Sequence, residues 1–131
     1  MTEVHLREAF SFDVNDFKVV VKNDIYTVKD LYLEDDTGAI RATVTITILN
    51  PFQQTNGHIH YEADEIYFID KGEGVMLIGD HLVHLHPQQW VIVPKTKRHK
   101  IINTTKEKME FQTYLPLHLA RSVAKVNMGK D

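Results

Sequence analysis

Arg41-Ala42-Thr43-Val44-Thr45-Ile46-Thr47-Ile48 alternates strictly between apolar and polar side chains over its last seven residues. A period of two is the repeat of a β-strand, so Val44, Ile46 and Ile48 share one face and Thr43, Thr45 and Thr47 the other. The threonine face is either solvated or a polar wall inside a cavity.

Short Val-, Ile- and Tyr-rich runs surround this strand: Phe17–Lys22, Ile25–Leu33, Glu65–Asp70, Val75–Gly79, Leu82–His86, Trp90–Pro94, His99–Asn103 and Met109–Leu115, with the quoted strand itself spanning Ala39–Leu49. The breaks carry turn chemistry: Asp35-Asp36-Thr37-Gly38, Lys71-Gly72-Glu73-Gly74, Gly79-Asp80, His86-Pro87 and Asn103-Thr104-Thr105. Glycine supplies positive φ, and Asp or Asn bonds to its own backbone. Short connections predict mostly antiparallel neighbours, and so many short strands predict an all-β sandwich or barrel. Helix is scarce. The late candidate is His118–Val126, after Pro116, as a short packing helix or a frayed tail.

The 131 residues, 43% hydrophobic, suffice for one domain with a sizeable core. We expect a single domain over residues 1–131, with N-terminal strands in 1–39, a barrel core at about 40–116 and the tail in 117–131. Net charge is −3, and the 15 Lys and Arg are scattered from Arg7 to Lys130, which argues against nucleic-acid and anionic-membrane partners. The absence of cysteine excludes disulfides, thiolate zinc sites, iron–sulfur clusters and a cysteine nucleophile. Imidazole and carboxylate remain as metal ligands. The first ten residues lack the basic end and apolar run of a secretory signal, and no apolar run reaches membrane-spanning length, so a soluble, cytoplasmic protein is expected.

Gly57-His58-Ile59-His60 sets two imidazoles two residues apart, which in an extended chain places both on one face. The next residues, Tyr61-Glu62-Ala63-Asp64-Glu65, offer three acids. Glu65 opens a strand and can face back toward the histidines, whereas Glu62 and Asp64 read as solvated turn residues. His99 starts a later strand, with Ile101 and Asn103 on its face, and an antiparallel return can bring it opposite the first pair. Three imidazoles and a carboxylate suit one divalent transition metal per chain (Mn, Fe, Co, Ni, Cu or Zn), with open positions for water or a substrate oxygen. His84 and His86 form a second His-x-His pair, but no acid follows and their parity opposes Val83 and Leu85, so they belong on an outer face. His5, His81 and His118 read as surface or core residues.

These residues resemble the motifs of the cupin superfamily. Its first motif is a His-x-His pair, a glutamate several residues on and a glycine after the intervening strand, matched by His58, His60, Glu65 and Gly72. Its second runs from a proline through a histidine to an asparagine, matched by Pro94, His99 and Asn103. The resemblance covers about residues 40 to 116 and implies a double-stranded β-helix, or jelly-roll barrel, with His58, His60, Glu65 and His99 as metal ligands. Three turn positions depart from it: family members carry glycine where this chain has Phe52, the customary glycine-aspartate turn reads Gln88-Gln89, and the glycine two residues after Pro94 is Thr96.

Within the superfamily, Gly57-His58-Ile59-His60, Glu65-Ile66-Tyr67, Gly72-Glu73-Gly74-Val75-Met76-Leu77 and Val91-Ile92-Val93-Pro94 look like the archaeal glucose-6-phosphate isomerase type and its mannose-6-phosphate isomerase-like relatives. That likeness implies a sugar or sugar-phosphate isomerase with the metal as Lewis acid. Glu65 and Tyr67 are the expected catalytic pair, and Thr45, Thr47, Gln112 and Tyr114 the expected pocket walls. Tyr67 reads alternatively as a core aromatic. An iron-dependent dioxygenase and a non-catalytic small-ligand-binding module are the alternatives. Ile66 and Phe68 lie opposite Glu65 and Tyr67 and need cover, from the N-terminal strands of the same chain or from a second copy; a homodimer with the N-terminal strands contributing is expected.

Overall fold

A computed structural model describes residues 11–34 and 41–116. The expected late helix, the Asp35–Gly38 turn, His5 and His118 lie outside these residues. Among the described residues nine antiparallel strands follow in chain order: β1 (Lys18–Lys22), β2 (Tyr26–Glu34), β3 (Arg41–Leu49), β4 (Glu65–Lys71), β5 (Gly74–Ile78), β6 (His81–Leu85), β7 (Gln89–Val93), β8 (His99–Asn103) and β9 (Met109–Pro116). The only helical element among the described residues is a short 3-10 turn at Val14–Asp16, capped by Asp13. No helix there is long and apolar enough to cross a membrane.

The strands form a six-stranded sheet in the order β1-β2-β3-β9-β4-β7 and a three-stranded sheet in the order β6-β5-β8. This is the double-stranded β-helix expected of the sequence. Leu49, Ile69, Met76, Ile101 and Met109 are fully buried in one apolar cluster between the sheets. Burying side chains of this size stabilises by roughly 1.5–3 kcal/mol each, which is what holds the sheets face to face.

The alternation of β3 resolves in favour of the cavity wall. Thr45 and Thr47 turn inward beside Leu49, while Val44 and Ile46 lie on the outer face. The apolar side of this strand therefore faces away from the barrel, because the interior at β3 is a cavity in which hydroxyls have work to do.

Residues 53–58 belong to no strand but run along the open edge of β8. Thr55 and Asn103 donate backbone N–H groups to the carbonyls of Ile101 and Gln53, and His58 and His99 exchange both backbone hydrogen bonds at 3.1 Å. Unpaired strand edges offer rows of donors and acceptors, and this segment satisfies one. The β4–β5 turn is tight as well. Gly72 has φ of +90°, and a Cβ on Gly74 would run into the carbonyl oxygen of Ile102.

Phe52, Gln88 and Thr96 adopt φ of 60°, 66° and 72°. These are the three positions where the resemblance to cupin motifs expects glycine, so each of these turns holds an L side chain in the left-handed region. Two of them are held by short hydrogen bonds: Gln88 N–H to the Ile69 carbonyl at 2.7 Å, and Thr96 N–H to the His60 carbonyl at 2.6 Å. The left-handed region costs a non-glycine residue about 1–2 kcal/mol, and a β-branched residue is its poorest occupant. Thr96→Gly is therefore expected to stabilise the metal-free protein by about 1 kcal/mol in urea unfolding, after the entropy of the glycine chain is subtracted. An unchanged or lowered midpoint would mean that Thr96 is not strained.

Candidate metal centre

Each ligand side chain has its place set by a different local device. Glu65 is the first residue of β4, and its side chain points into the barrel with those of Tyr67 and Ile69. His99 opens β8, on the inner face with Ile101 and Asn103. The edge segment delivers His58 directly opposite His99, and the Thr96 turn fixes the backbone of His60 two residues on. Asn103 anchors the base of this arrangement, its amide donating to the carbonyls of Leu49, Asn50 and Glu107.

The four side chains converge. One ligand atom from each of His58, His60, Glu65 and His99 lies within 4.8 Å of all the others. Ligands bonded at about 2.1 Å to one ion stand at most about 4.2 Å apart, so an ion needs only a small contraction of this cluster. The Nε2 atoms of His58, His60 and His99 sit 3.9, 3.4 and 3.0 Å from Glu65 Oε1.

Hydrogen-bond chemistry says what belongs at the centre. His99 Nδ1 is 2.9 Å from the Lys97 carbonyl, an acceptor only, so this nitrogen carries the proton and donates. In the neutral ring Nε2 is then a lone pair, aimed at a carboxylate oxygen that already accepts from the Tyr67 hydroxyl at 2.8 Å. Two lone pairs 3.0 Å apart repel unless a proton or a metal ion lies between them. His60 is 2% exposed, and neither ring nitrogen has a hydrogen-bond partner. A buried polar atom without a partner costs about 1–3 kcal/mol, and a metal ion removes that cost by accepting the lone pair. The donor set fits a divalent transition ion.

Electrostatics agree. Burial alone would raise the Glu65 carboxyl, but hydrogen bonds and positive charge from protonated His60 and His99 imidazoles override it and hold the group below the usual carboxylate range when no ion takes the place of those protons. Burial and the neighbouring His99 push His58 down to about 4, against a partial opposing pull from Glu65. Tyr67 is driven well above its ordinary value by burial and by the carboxylate next to it. The centre thus presents a neutral His58, an ionised glutamate and a tyrosine that remains a donor.

Of the expected pocket walls, Thr45 and Thr47 line a cavity of about 270 Å³ that reaches His58, Glu65 and Tyr67. Gln112 and Tyr114 do not. They alternate with Phe111 and Thr113 along β9, and it is the latter pair that faces the cavity, while Gln112 and Tyr114 sit on the outer surface with Ile66 and Phe68. Registry explains the correction: Thr45 pairs with Thr113 and Ile46 with Gln112. Sequence reading also missed Asp30, Thr55 and Asn56 on the cavity wall. Parity along Tyr26–Glu34 would have set Asp30 on one face with Val28 and Tyr26. Among the other histidines, His81, His84 and His86 are exposed, and Glu62 and Asp64 are surface acids, with Asp64 accepting the Lys95 N–H.

A pH dependence follows for the metal-free protein. In the unfolded chain His58 titrates near 6.5, whereas in the fold it resists protonation down to about 4. Between those values the unfolded state binds more protons, so this contribution to stability is present above pH 6.5 and is lost as pH falls toward 4, by about 3 kcal/mol at its limit. Urea titrations of chelator-treated protein at pH 7.5 and 4.5 are expected to differ in this direction, and His58→Gln to narrow the difference. An equal pH dependence in the variant would remove His58 as its source.

The Cupin domain profile matches residues 45–116, more than half of the chain and all four ligand positions. No curated protein matches the chain by sequence. Among solved structures, an uncharacterised conserved protein with a double-stranded beta-helix domain from Klebsiella pneumoniae superposes with a TM-score of 0.66 at 20% identity, over 83% of this chain and 90% of that one. The polyketide cyclase RemF from Streptomyces resistomycificus gives 0.64 at 19% identity, over 83% and 80%. Oxalate decarboxylase from Lactobacillus farciminis gives 0.67 at 15% identity, over 79% of this chain and 32% of that one. At such identities the likeness is one of fold. With its jelly-roll architecture, its converging histidines and glutamate, and its match to the family profile, this chain belongs to the cupin family.

Proposed function

We propose that the protein is a mononuclear, divalent-metal-dependent enzyme of the cytoplasm that isomerises a small hydroxy-carbonyl compound of the sugar or sugar-phosphate type. The observation that carries this reading is the asymmetry of the centre. Glu65, His60 and His99 are buried, while the His58 side chain is 20% exposed on the side where the cavity opens. A ligand can thus approach the ion from one direction, past a wall bearing Thr45, Thr47 and Thr113.

His58, His60, Glu65 and His99 would hold the ion, which supplies a Lewis acid for two adjacent substrate oxygens. The side chains divide the remaining tasks. Glu65, kept ionised by its imidazole neighbours, serves as a ligand and is a poor acceptor for a carbon-bound proton. Tyr67 spends its hydroxyl on Glu65 and fixes the carboxylate, so we assign it a positioning role. The proton carrier then comes from the free cavity wall or from water.

Purified protein, stripped and reloaded with single divalent metals, is expected to hold one ion per chain and to incorporate deuterium from D2O into an aldose or ketose, equally in air and under argon. Tyr67→Phe is expected to lower turnover about tenfold while still binding metal. Oxygen consumption with Fe(II) would replace this reading with a dioxygenase, and saturable ligand binding without product with any metal would replace it with a binding module.

Assembly is part of the same proposal. The outer face of the six-stranded sheet carries Val44, Ile46, Ile66 and Phe68, together with Trp90 at 68% exposure and Ile92 at 62%. Phe12 and Phe17, flanking the short 3-10 turn, line one side of this face without covering it. A second copy across a two-fold axis would bury an apolar face of this kind, and we assign it to a homodimer. Light scattering at micromolar concentration is expected to give twice the chain mass, with Trp90→Glu giving one; a wild-type mass of one chain would overturn the assignment.

A further inference from the structure

The second His-x-His pair of the sequence, His84 and His86, takes no part in the buried centre and has a geometry of its own. β6 is an outer strand of the three-stranded sheet, and Leu85 turns inward to the core at 3% exposure, which leaves His84 and His86 exposed on the opposite face. His86 lies one residue past the end of β6, yet Pro87 follows it, and the ring of a proline pushes the preceding residue into extended backbone. The two imidazoles therefore project the same way, about 7 Å apart along the chain.

The backbone that carries them is held. The Gln89 side chain spans the pair: its Oε1 accepts the His86 N–H at 2.9 Å, and its Nε2 donates to the His84 carbonyl at 3.0 Å. His86 Nδ1 stands 3.0 Å from the Pro87 carbonyl, which only accepts, so this nitrogen carries the proton and the lone pair of the neutral ring is on Nε2. A hydrogen bond of that kind fixes the tautomer of a metal-binding histidine and orients its ring.

A third donor comes from across the hairpin. β5 pairs with β6 so that Val75 is opposite His84 and Gly74 opposite Leu85, and one further step of this register sets the exposed Glu73 opposite His86. Side chains directly opposite in an antiparallel pair have Cβ atoms about 5 Å apart. The place is well removed from the buried centre: His99 pairs with Ile78 at the other end of β5, about 14 Å along the strand from Gly74.

From this juxtaposition the geometry points to a second, exposed metal site on His84, His86 and Glu73, taking Zn(II), Cu(II) or Ni(II), ions that imidazole suits. It differs in kind from the buried one. There the four ligand atoms already stand within 4.8 Å of one another, whereas here the exposed side chains come together when the ion arrives. Ordering mobile side chains opposes binding, which makes this the weaker site: it exchanges with the solution and empties on desalting, while the buried ion stays.

Zn(II) titrated by calorimetry into protein whose buried centre has been filled with Zn(II), and which has then been desalted, tests the site. One further ion per chain is expected at micromolar free Zn(II). His84→Ala and His86→Ala are each expected to weaken it about tenfold and Glu73→Gln about threefold, with the ion retained through desalting unchanged in all three. Thermal melts of the metal-free forms check that these surface variants keep the fold. No further ion, or a further ion bound equally well by both histidine variants, overturns the site; equal binding by Glu73→Gln overturns the third ligand. Protein that retains no zinc through desalting would defeat the proposed function instead, and the same variants then decide the exposed site in titrations of the unfilled protein.

Discussion

The structure depends on one electrostatic constraint: three imidazole nitrogens and a phenol surround a single carboxylate oxygen, Glu65 Oε1, at 3.0 to 3.9 Å and 2.8 Å. With His99 committed through Nδ1–H to a carbonyl, and His60 buried without a hydrogen-bond partner, this packing makes chemical sense around a cation. The surrounding devices serve that point. β4 brings in the acid, β8 one histidine, the edge segment a second, and the strained Thr96 turn pins the backbone of the third. Only when the four are held together does burial of so many polar atoms cease to be a liability.

The same constraint explains the division of the barrel into two ends. Where Leu49, Ile69, Met76 and Met109 meet, the interior is a fully buried apolar core. Toward β2 and β3 it opens, and threonines and Asp30 take over from aliphatic side chains. The chain has placed the Val and Ile face of β3 outside to do this, which is why the outer surface of the larger sheet is so apolar. Cavity and exposed patch are two sides of one strand.

Much of this was legible in the residues. Nine strand runs and the turns between them were readable because period two and Gly/Asp/Asn punctuation are local properties. The ligand set was readable because His58-x-His60, Glu65 and His99 keep their spacing relative to strand starts. What was not legible depended on register. Whether Gln112 or Thr113 faces inward is decided by pairing of β9 with β3, a relation between residues almost seventy positions apart. Asp30 escaped notice for a related reason: an acid in an N-terminal strand looks like a solubilising residue until its neighbour across the sheet turns out to be a cavity threonine. The glycine-like turns at Phe52, Gln88 and Thr96 were visible as departures in residue type, yet their positive φ is held by the backbone hydrogen bonds that surround them.

The pairing of His58 with His99 through two main-chain hydrogen bonds has a consequence for how the centre opens. A ligand carried on a free loop can move off with its backbone, whereas here the main chain of His58 can shift only if the strip 53–58 unzips from β8, which disturbs the backbone beneath His99 as well. An ion held by both side chains would therefore oppose peeling of that strip, and amide exchange along it would slow on metal loading.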